Sequence, residues 1–211
     1  VNYGDLKTSF VSILNRRDVT VTQISTFMEM GTRMIQRSLR VPSMEKLFNY
    51  TSDGSGVVPV PTDLLEVISI SMNDPNYSYR LIRSDIQTVL SNQLTSDYPK
   101  YYYRSGAGFL IGPKANSGLM IHVIYHGEFD PLISDSSVNW LTTAAPDLLI
   151  YAALGYASDY FLDDRKTAFE QRYLYILQEL QNQASQDELS NASISPKGYD
   201  GQYSRYPGSP Y

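Results

Sequence analysis

Apolar residues recur every three or four positions at both ends of the chain and every second position through its middle. Near the start, Leu6, Phe10, Ile13 and Leu14 fall on one side of a short helix over residues 5–14. The run Asn15, Arg16, Arg17 and Asp18 interrupts it, and Thr20 or Thr22 can cap a longer helix reaching about residue 40. There Val21, Ile24, Met28, Ile35 and Leu39 keep the helical period, while Phe27, Met30 and Met34 widen the apolar face. Glu29 and Arg33, four apart in the favourable order, can pair along it. Pro42 ends the pattern.

From about residue 44 to 130 the period changes to two. Residues 44–50 and 57–60 read as a hairpin around a loop holding Gly54 and Gly56, and 65–72 and 79–82 read as strands. Ser84 or Asp85 can cap a short helix over 85–94. Residues 100–111 and 119–128 read as a further strand pair joined by a loop over 112–118. The links look too short for crossover helices, so antiparallel neighbours are expected. Helical spacing returns at Pro146, which suits a first helical position, with Asp147 at the positive end of the dipole. Ala152, Ala153, Gly155 and Ala157 allow close helix approach, Asp163 or Asp164 can cap the next helix, and Phe169, Tyr173, Ile176, Leu177 and Leu180 form its apolar stripe. The predicted class is α+β. A helical bundle comes from residues 1–43 and 136–191, an antiparallel β-rich module over 44–135 is inserted into it, and an extended C-terminal arm follows over 192–211.

The arm has no apolar period. Pro and Gly interrupt it, yet Tyr199, Tyr203, Tyr206 and Tyr211 recur along it, with Arg205 between two of them. Such a segment cannot bury itself, and it suits a recognition arm whose rings dock on a partner. Composition agrees: 18 Tyr against 7 Phe and 1 Trp favours half-wet contact surfaces. A net charge of −5 argues against a dedicated nucleic-acid binder. With no Cys, disulfide frameworks and thiolate metal sites are excluded. No apolar run is long enough to span a bilayer, and Val1–Asp5 has neither the basic nor the apolar part of a leader, so a processed start without a signal peptide is expected.

Candidate chemistry is sparse. His122 and His126 share one face of a strand, roughly 13 Å apart, too far to hold one ion. There is no Gly-x-Ser-x-Gly elbow, Ser55 sits in a glycine turn, and the run from Gly108 to Lys114 is one residue short of a phosphate loop and carries Pro113. Asp163 and Asp164 suit a helix start better than a pair of catalytic carboxylates. Arg33, Arg37 and Arg40 form one stripe on the second helix, with Arg16 and Arg17 nearby. They read either as a solvated face or as a lateral contact with an acidic neighbouring subunit or with nucleic acid in a lumen.

Phe27-Met28-Glu29, Met34 through Arg40 and Met44 through Leu47, followed by Val60 through Val67, resemble the N-terminal signature of the head-to-tail adaptor proteins of tailed bacteriophages, also called the head completion or tail tubular protein A-like group. Pro146 through Leu154, the break at 160–164 and the helix bearing Tyr173 and Leu177 are similar to the late helices of that family, so the likeness runs from about residue 3 to 183. The resemblance implies a structural subunit rather than an enzyme, with no cofactor. It implies a ring, usually dodecameric, below the portal protein, continuing the DNA channel toward a downstream tail or nozzle protein, with transient non-specific contact to the genome. It also implies C-terminal segments that embrace the portal, and a place in the virion neck after assembly in the host cytoplasm, with no membrane partner. A tail terminator or connector of another fold, and a virion-associated cell-wall hydrolase, are the alternatives.

Overall fold

The computed structural model describes residues 1–74, 77–94, 98–106 and 108–191. In chain order the elements are α1 (Tyr3–Leu14), α2 (Val21–Ser38), a 3₁₀ turn (Pro42–Met44), β1 (Glu45–Thr51), β2 (Val57–Pro59), β3 (Leu64–Asp74), β4 (Tyr77–Arg80), β5 (Ile82–Arg83), α3 (Ile86–Asn92), β6 (Tyr101–Arg104), β7 (Gly108–Gly112), β8 (Met120–Gly127), α4 (Trp140–Thr143), α5 (Pro146–Phe161) and α6 (Lys166–Asn191). Asn2 and Thr20 start α1 and α2 with capping boxes closed by Asp5 and Gln23. Pro146 opens α5, and Asp85 caps α3. The arm over 192–211, with Tyr199, Tyr203, Arg205, Tyr206 and Tyr211, lies outside the described residues.

N-terminal and C-terminal helices share one core of Leu6, Phe10, Leu14, Met28, Ile35, Leu148, Leu149, Leu154 and Tyr173, among others. Polar contacts lock the same halves together. Arg165, from the turn before α6, donates to the last carbonyls of α1, at Ile13 (3.2 Å) and Leu14 (2.9 Å). Gln181 of α6 donates to the carbonyl of Ser38 at 3.0 Å, and the Ser38 and Tyr173 hydroxyls meet at 3.2 Å. Carbonyls at the ends of α1 and α2 are thus met by side chains from the other half of the sequence.

The inserted strands form two four-stranded sheets, ordered β1-β8-β3-β4 and β2-β7-β6-β5. Their inner faces share a second core that includes Val58, Ile70, Met72, Phe109, Ile111, Ile121 and Val123. Three strand pairings differ from the sequence expectation. The hairpin expected from 44–50 and 57–60 does not pair with itself: β1 pairs with β8 and β2 with β7. Gly54 (φ 85°) and Gly56 (φ 79°) carry the chain from one sheet to the other, and the buried Ser52 hydroxyl holds the crossing by donating to the Ala115 carbonyl at 3.1 Å. Residues 100–111 are not one strand but the hairpin β6–β7, while β8 lies in the opposite sheet. Finally, β5 and β6 run parallel, because α3 between them supplies the crossover that short links were expected to lack.

One approach in the helical core is unusually close. A Cβ on Gly31 would lie 3.0 Å from the Ala153 nitrogen and 3.3 Å from the Ala152 Cβ. The small residues of α5 therefore meet a glycine on α2, as their sequence suggests. We expect Gly31→Ala to be near neutral, with the roughly 1 kcal/mol gain in helix propensity offset by contact strain. Gly31→Leu should force the helices apart and cost about 3 kcal/mol, read by urea denaturation.

Candidate interaction surface

One polar tie joins the helical layer to the strands, and a second closes the base of the first sheet. Arg40, just past α2, donates through Nε to Glu66 of β3 at 3.0 Å and through Nη1 to the carbonyls of Gln36 (2.8 Å) and Leu39 (2.7 Å). The second tie is a knot where β1, β3 and β8 end. Lys46 donates to Asp63 Oδ2 and to the Glu128 carbonyl, both at 2.8 Å, and the buried Tyr125 donates to Asp63 Oδ1 at 2.9 Å. The backbone closes it as well, since Glu128 N–H reaches the Asp63 carbonyl at 2.8 Å. Burial pushes the Asp63 carboxyl up, but the Lys46 and Tyr125 hydrogen bonds and the Lys46 charge outweigh it and hold it below its ordinary value. Tyr125 is pushed up to about 12, first by burial and then by its bond to the charged Asp63. Sequence reading missed this knot: Lys46 and Asp63 lie in different elements, and no period links them.

Beside these ties a groove of about 800 Å³ opens between α2 and the segment that leaves β8. Lys7, Glu29, Arg33 and Arg37 line one side, Phe129 and Ile133 the other. Arg33 pairs with Glu29 at 2.6 Å and is 71% exposed; Lys7 pairs with Asp135. Arg37 donates to the Arg33 carbonyl at 3.2 Å, with no carboxylate partner among the described residues. Of the arginine stripe, then, Arg33 and Arg37 face the groove and Arg40 is spent on the junction. Arg16 pairs with Asp18 and lies 4.3 Å over the Phe161 ring.

The sequence's chemical candidates serve packing. His122, on the outer face of its sheet, bridges both neighbouring strands: its Nδ1 meets Asn49 Oδ1 of β1, and its Nε2 meets the Asn73 amide of β3 at 2.9 Å. A donor at Asn73 makes Nε2 the acceptor, so Nδ1 carries the proton and donates to Asn49. His126 lies between Glu45 and Glu66 in the ladder. Among the described residues, no three His, Asp or Glu side chains group as a metal site. Asp163 accepts from the Arg165 N–H (2.9 Å) and guanidinium (2.7 Å). Those bonds lower its carboxyl to about 2, the opposite of what a general acid requires.

The sequence profile of the SU10 adaptor proteins matches residues 1–197. The chain belongs to the SU10 adaptor protein family. It is therefore a phage adaptor protein, and membership suggests a head-to-tail adaptor role of a structural kind. The match takes in both helical segments, the strands between them and the groove, and it stops short of most of the tyrosine arm. No curated protein matched the chain. No helix among the described residues is long and apolar enough to cross a membrane.

The knot at Asp63 gives this adaptor a pH signature with two limbs. A carboxyl whose folded pKa is lowered adds stability that is present above its unfolded value of 3.8 and is lost as pH falls through the folded value. A tyrosine whose folded pKa is raised adds stability that is present below its ordinary value of 10.0 and is lost as pH rises through about 12. Asp63→Asn should cost about 2 kcal/mol at neutral pH and less as the medium becomes acid. Tyr125→Phe should flatten the alkaline limb. Thermal melts across pH on the three proteins would check both.

Proposed function

We propose that this chain is the subunit of a ring that docks below the portal protein and connects it to the tail while continuing the DNA channel. The observation that carries the reading is the family match over residues 1–197, laid on a fold whose two ends form a single helical wedge with the strands as an insertion. Wedges of this kind assemble side by side, and a closed ring follows when one surface of each copy meets a different surface of the next. A dodecamer is the copy number proposed.

Arg33 and Arg37 are proposed as lateral or lumen contacts, with Arg40 setting the position of the stripe from behind. In a lumen they would touch passing DNA weakly. The chain's net charge of −5 keeps such contact from becoming retention, which suits a conduit for the genome. The strands are proposed to face the next tail or nozzle protein. The arm over 192–211 is proposed to reach the portal, with Tyr199, Tyr203, Tyr206 and Tyr211 as ring anchors and Arg205 as a charged contact; composition supports this, since the segment is rich in Tyr and poor in aliphatic residues. The assembled place is the neck of the virion, reached from the host cytoplasm.

Mass photometry of the purified chain with and without portal tests the reading. Rings that bind portal are expected, and a persistent monomer that ignores portal would overturn it. Deleting residues 192–211 should leave the ring intact and weaken portal attachment at least about a hundredfold, as expected if two aromatic anchors of ~1.4 kcal/mol each are lost per subunit. The pair Arg33→Glu and Arg37→Glu should reduce ring yield or DNA passage without lowering the melting temperature, because neither guanidinium contributes to a buried tie.

A further inference from the structure

β1 is the last strand of its sheet, with β8 on one side and, among the described residues, no strand on the other. The Ser52 N–H bonds the Leu119 carbonyl at 2.8 Å, directly beyond the Thr51↔Met120 pair. Alternate residues of an antiparallel strand turn both N–H and C=O toward the same neighbour. Lys46, Phe48 and Tyr50 therefore bond β8, while Glu45, Leu47, Asn49 and Thr51 direct their backbone groups outward. The Glu45 N–H is taken by the Pro42 carbonyl, which leaves Leu47, Asn49 and Thr51 with outward groups that no backbone group bonds among the described residues.

Exposed edges invite another chain, and proteins blunt them with proline, charge, bulges or short length. Both edges of the other sheet are blunt, since β2 has three residues ending in Pro59 and β5 has two; β4, at the far side of the β1 sheet, offers four. β1 has seven in unbroken register. Its single lysine gives no protection, because Lys46 turns inward to Asp63 and the Glu128 carbonyl. At the middle of the strand stands Leu47, 58% exposed.

We propose that β1 receives β4 of a second copy of this chain, so that one sheet runs on from subunit to subunit; this rests on the ring reading above. Strand polarity fits it. β1 and β3 run one way, β8 and β4 the other. Rotation about an axis along the strands preserves those directions, so β4 of one copy meets β1 of the next antiparallel, and the alternation continues around the ring. Pairing of β1 with β1 would need a two-fold axis and would stop at a dimer. Pro59 lacks the donor that β2 would need. The ladder sets Arg80 level with Asn49, through Ser71 and His122, so an unstaggered approach brings the one cation of β4 against a neutral amide.

Amide hydrogen exchange on the full chain, before and after assembly, reads the contact directly. Exchange over 45–51 and over 77–80 should both slow by at least about tenfold in the ring. Slowing at neither segment, or at 45–51 alone, overturns the pairing. Leu47→Pro removes an outward N–H but no bond to β8, and edge strands tolerate such a proline. It should lower the ring fraction about tenfold, while Leu47→Ala, which keeps the amide, assembles normally. If Leu47→Pro forms complete rings, the edge contact is overturned and the ring reading stands. If Leu47→Pro does not fold, the exchange result on the unaltered chain decides. Wild-type dimers that Leu47→Pro dissociates would show β1 pairing with itself and overturn the assignment to β4. A wild-type chain that stays monomeric with portal overturns the ring reading itself, and the pairing with it.

Discussion

The contact on which the rest of the structure depends is the approach of α2 to α5 at Gly31, Ala152 and Ala153. It brings together two parts of the chain more than a hundred residues apart, and almost every buried helical side chain belongs to the core it closes. Loop closure over such a length carries an entropic cost that grows only slowly with the number of residues enclosed, so an inserted module of two sheets adds little to it. Dispersion contacts at this distance are individually small but numerous, and they require small residues on both sides. A glycine in mid-helix is unfavourable by itself; its presence on α2 is accounted for by the α5 backbone only 3.0 Å from where a Cβ would stand.

Once the ends are closed, one polar cluster ties the strands to the helices and another closes the base of the first sheet. Arg40 binds Glu66 while using its remaining donors on the last carbonyls of α2. Lys46, Asp63, Tyr125 and the Glu128 carbonyl close the base of the first sheet. Both clusters are half-exposed, where an ion pair alone contributes little. Their effect comes from hydrogen bonds that fix direction: each carboxylate oxygen of Asp63 has its own donor, and the Arg40 guanidinium spans helix end and strand. The angle between the helices and the strands is thus held at Arg40, and the base of the first sheet at Asp63.

Helix boundaries were legible because the signals are local. Thr20, Asp85 and Pro146 mark starts by side-chain chemistry within three residues, and the structure has each in that place, whereas the Asn2 cap went unread and α1 starts two residues before the expected helix. The existence of most strands was legible from alternation, but their partners were not. Alternation tells which face a residue takes and nothing about which strand lies alongside. Gly54 and Gly56 suit a hairpin turn and a crossing between sheets equally well; the difference lies in Ser52 finding the Ala115 carbonyl, sixty-three positions away. The parallel pair β5–β6 was hidden for a related reason, since α3 is only seven residues long and does not read as a crossover. Of the candidate surface, the arginine stripe was visible as helical spacing, but its division into groove-facing Arg33 and Arg37 and junction-bound Arg40 depends on β3, which spacing on α2 cannot report.

The polar side chains that might have carried chemistry are instead consumed by the fold. His122 joins three strands through two asparagines, Asp163 is held by Arg165, and Asp63 is held by Lys46 and Tyr125. The donors on Asp63 and Asp163 hold both carboxyls below their ordinary value, away from the neutral range in which a general acid or base must exchange protons. What remains outward is of another kind: a charged groove beside α2, with Ile133 85% exposed on its rim, and a strand edge whose backbone groups at Leu47, Asn49 and Thr51 have no backbone partner among the described residues. Unsatisfied backbone groups and exposed apolar side chains lower the free energy of a protein only when something covers them. Most inner polar groups committed, apart from His126 Nδ1 and Ser158 Oγ, and outer backbone left open is a division that agrees with membership of an adaptor family.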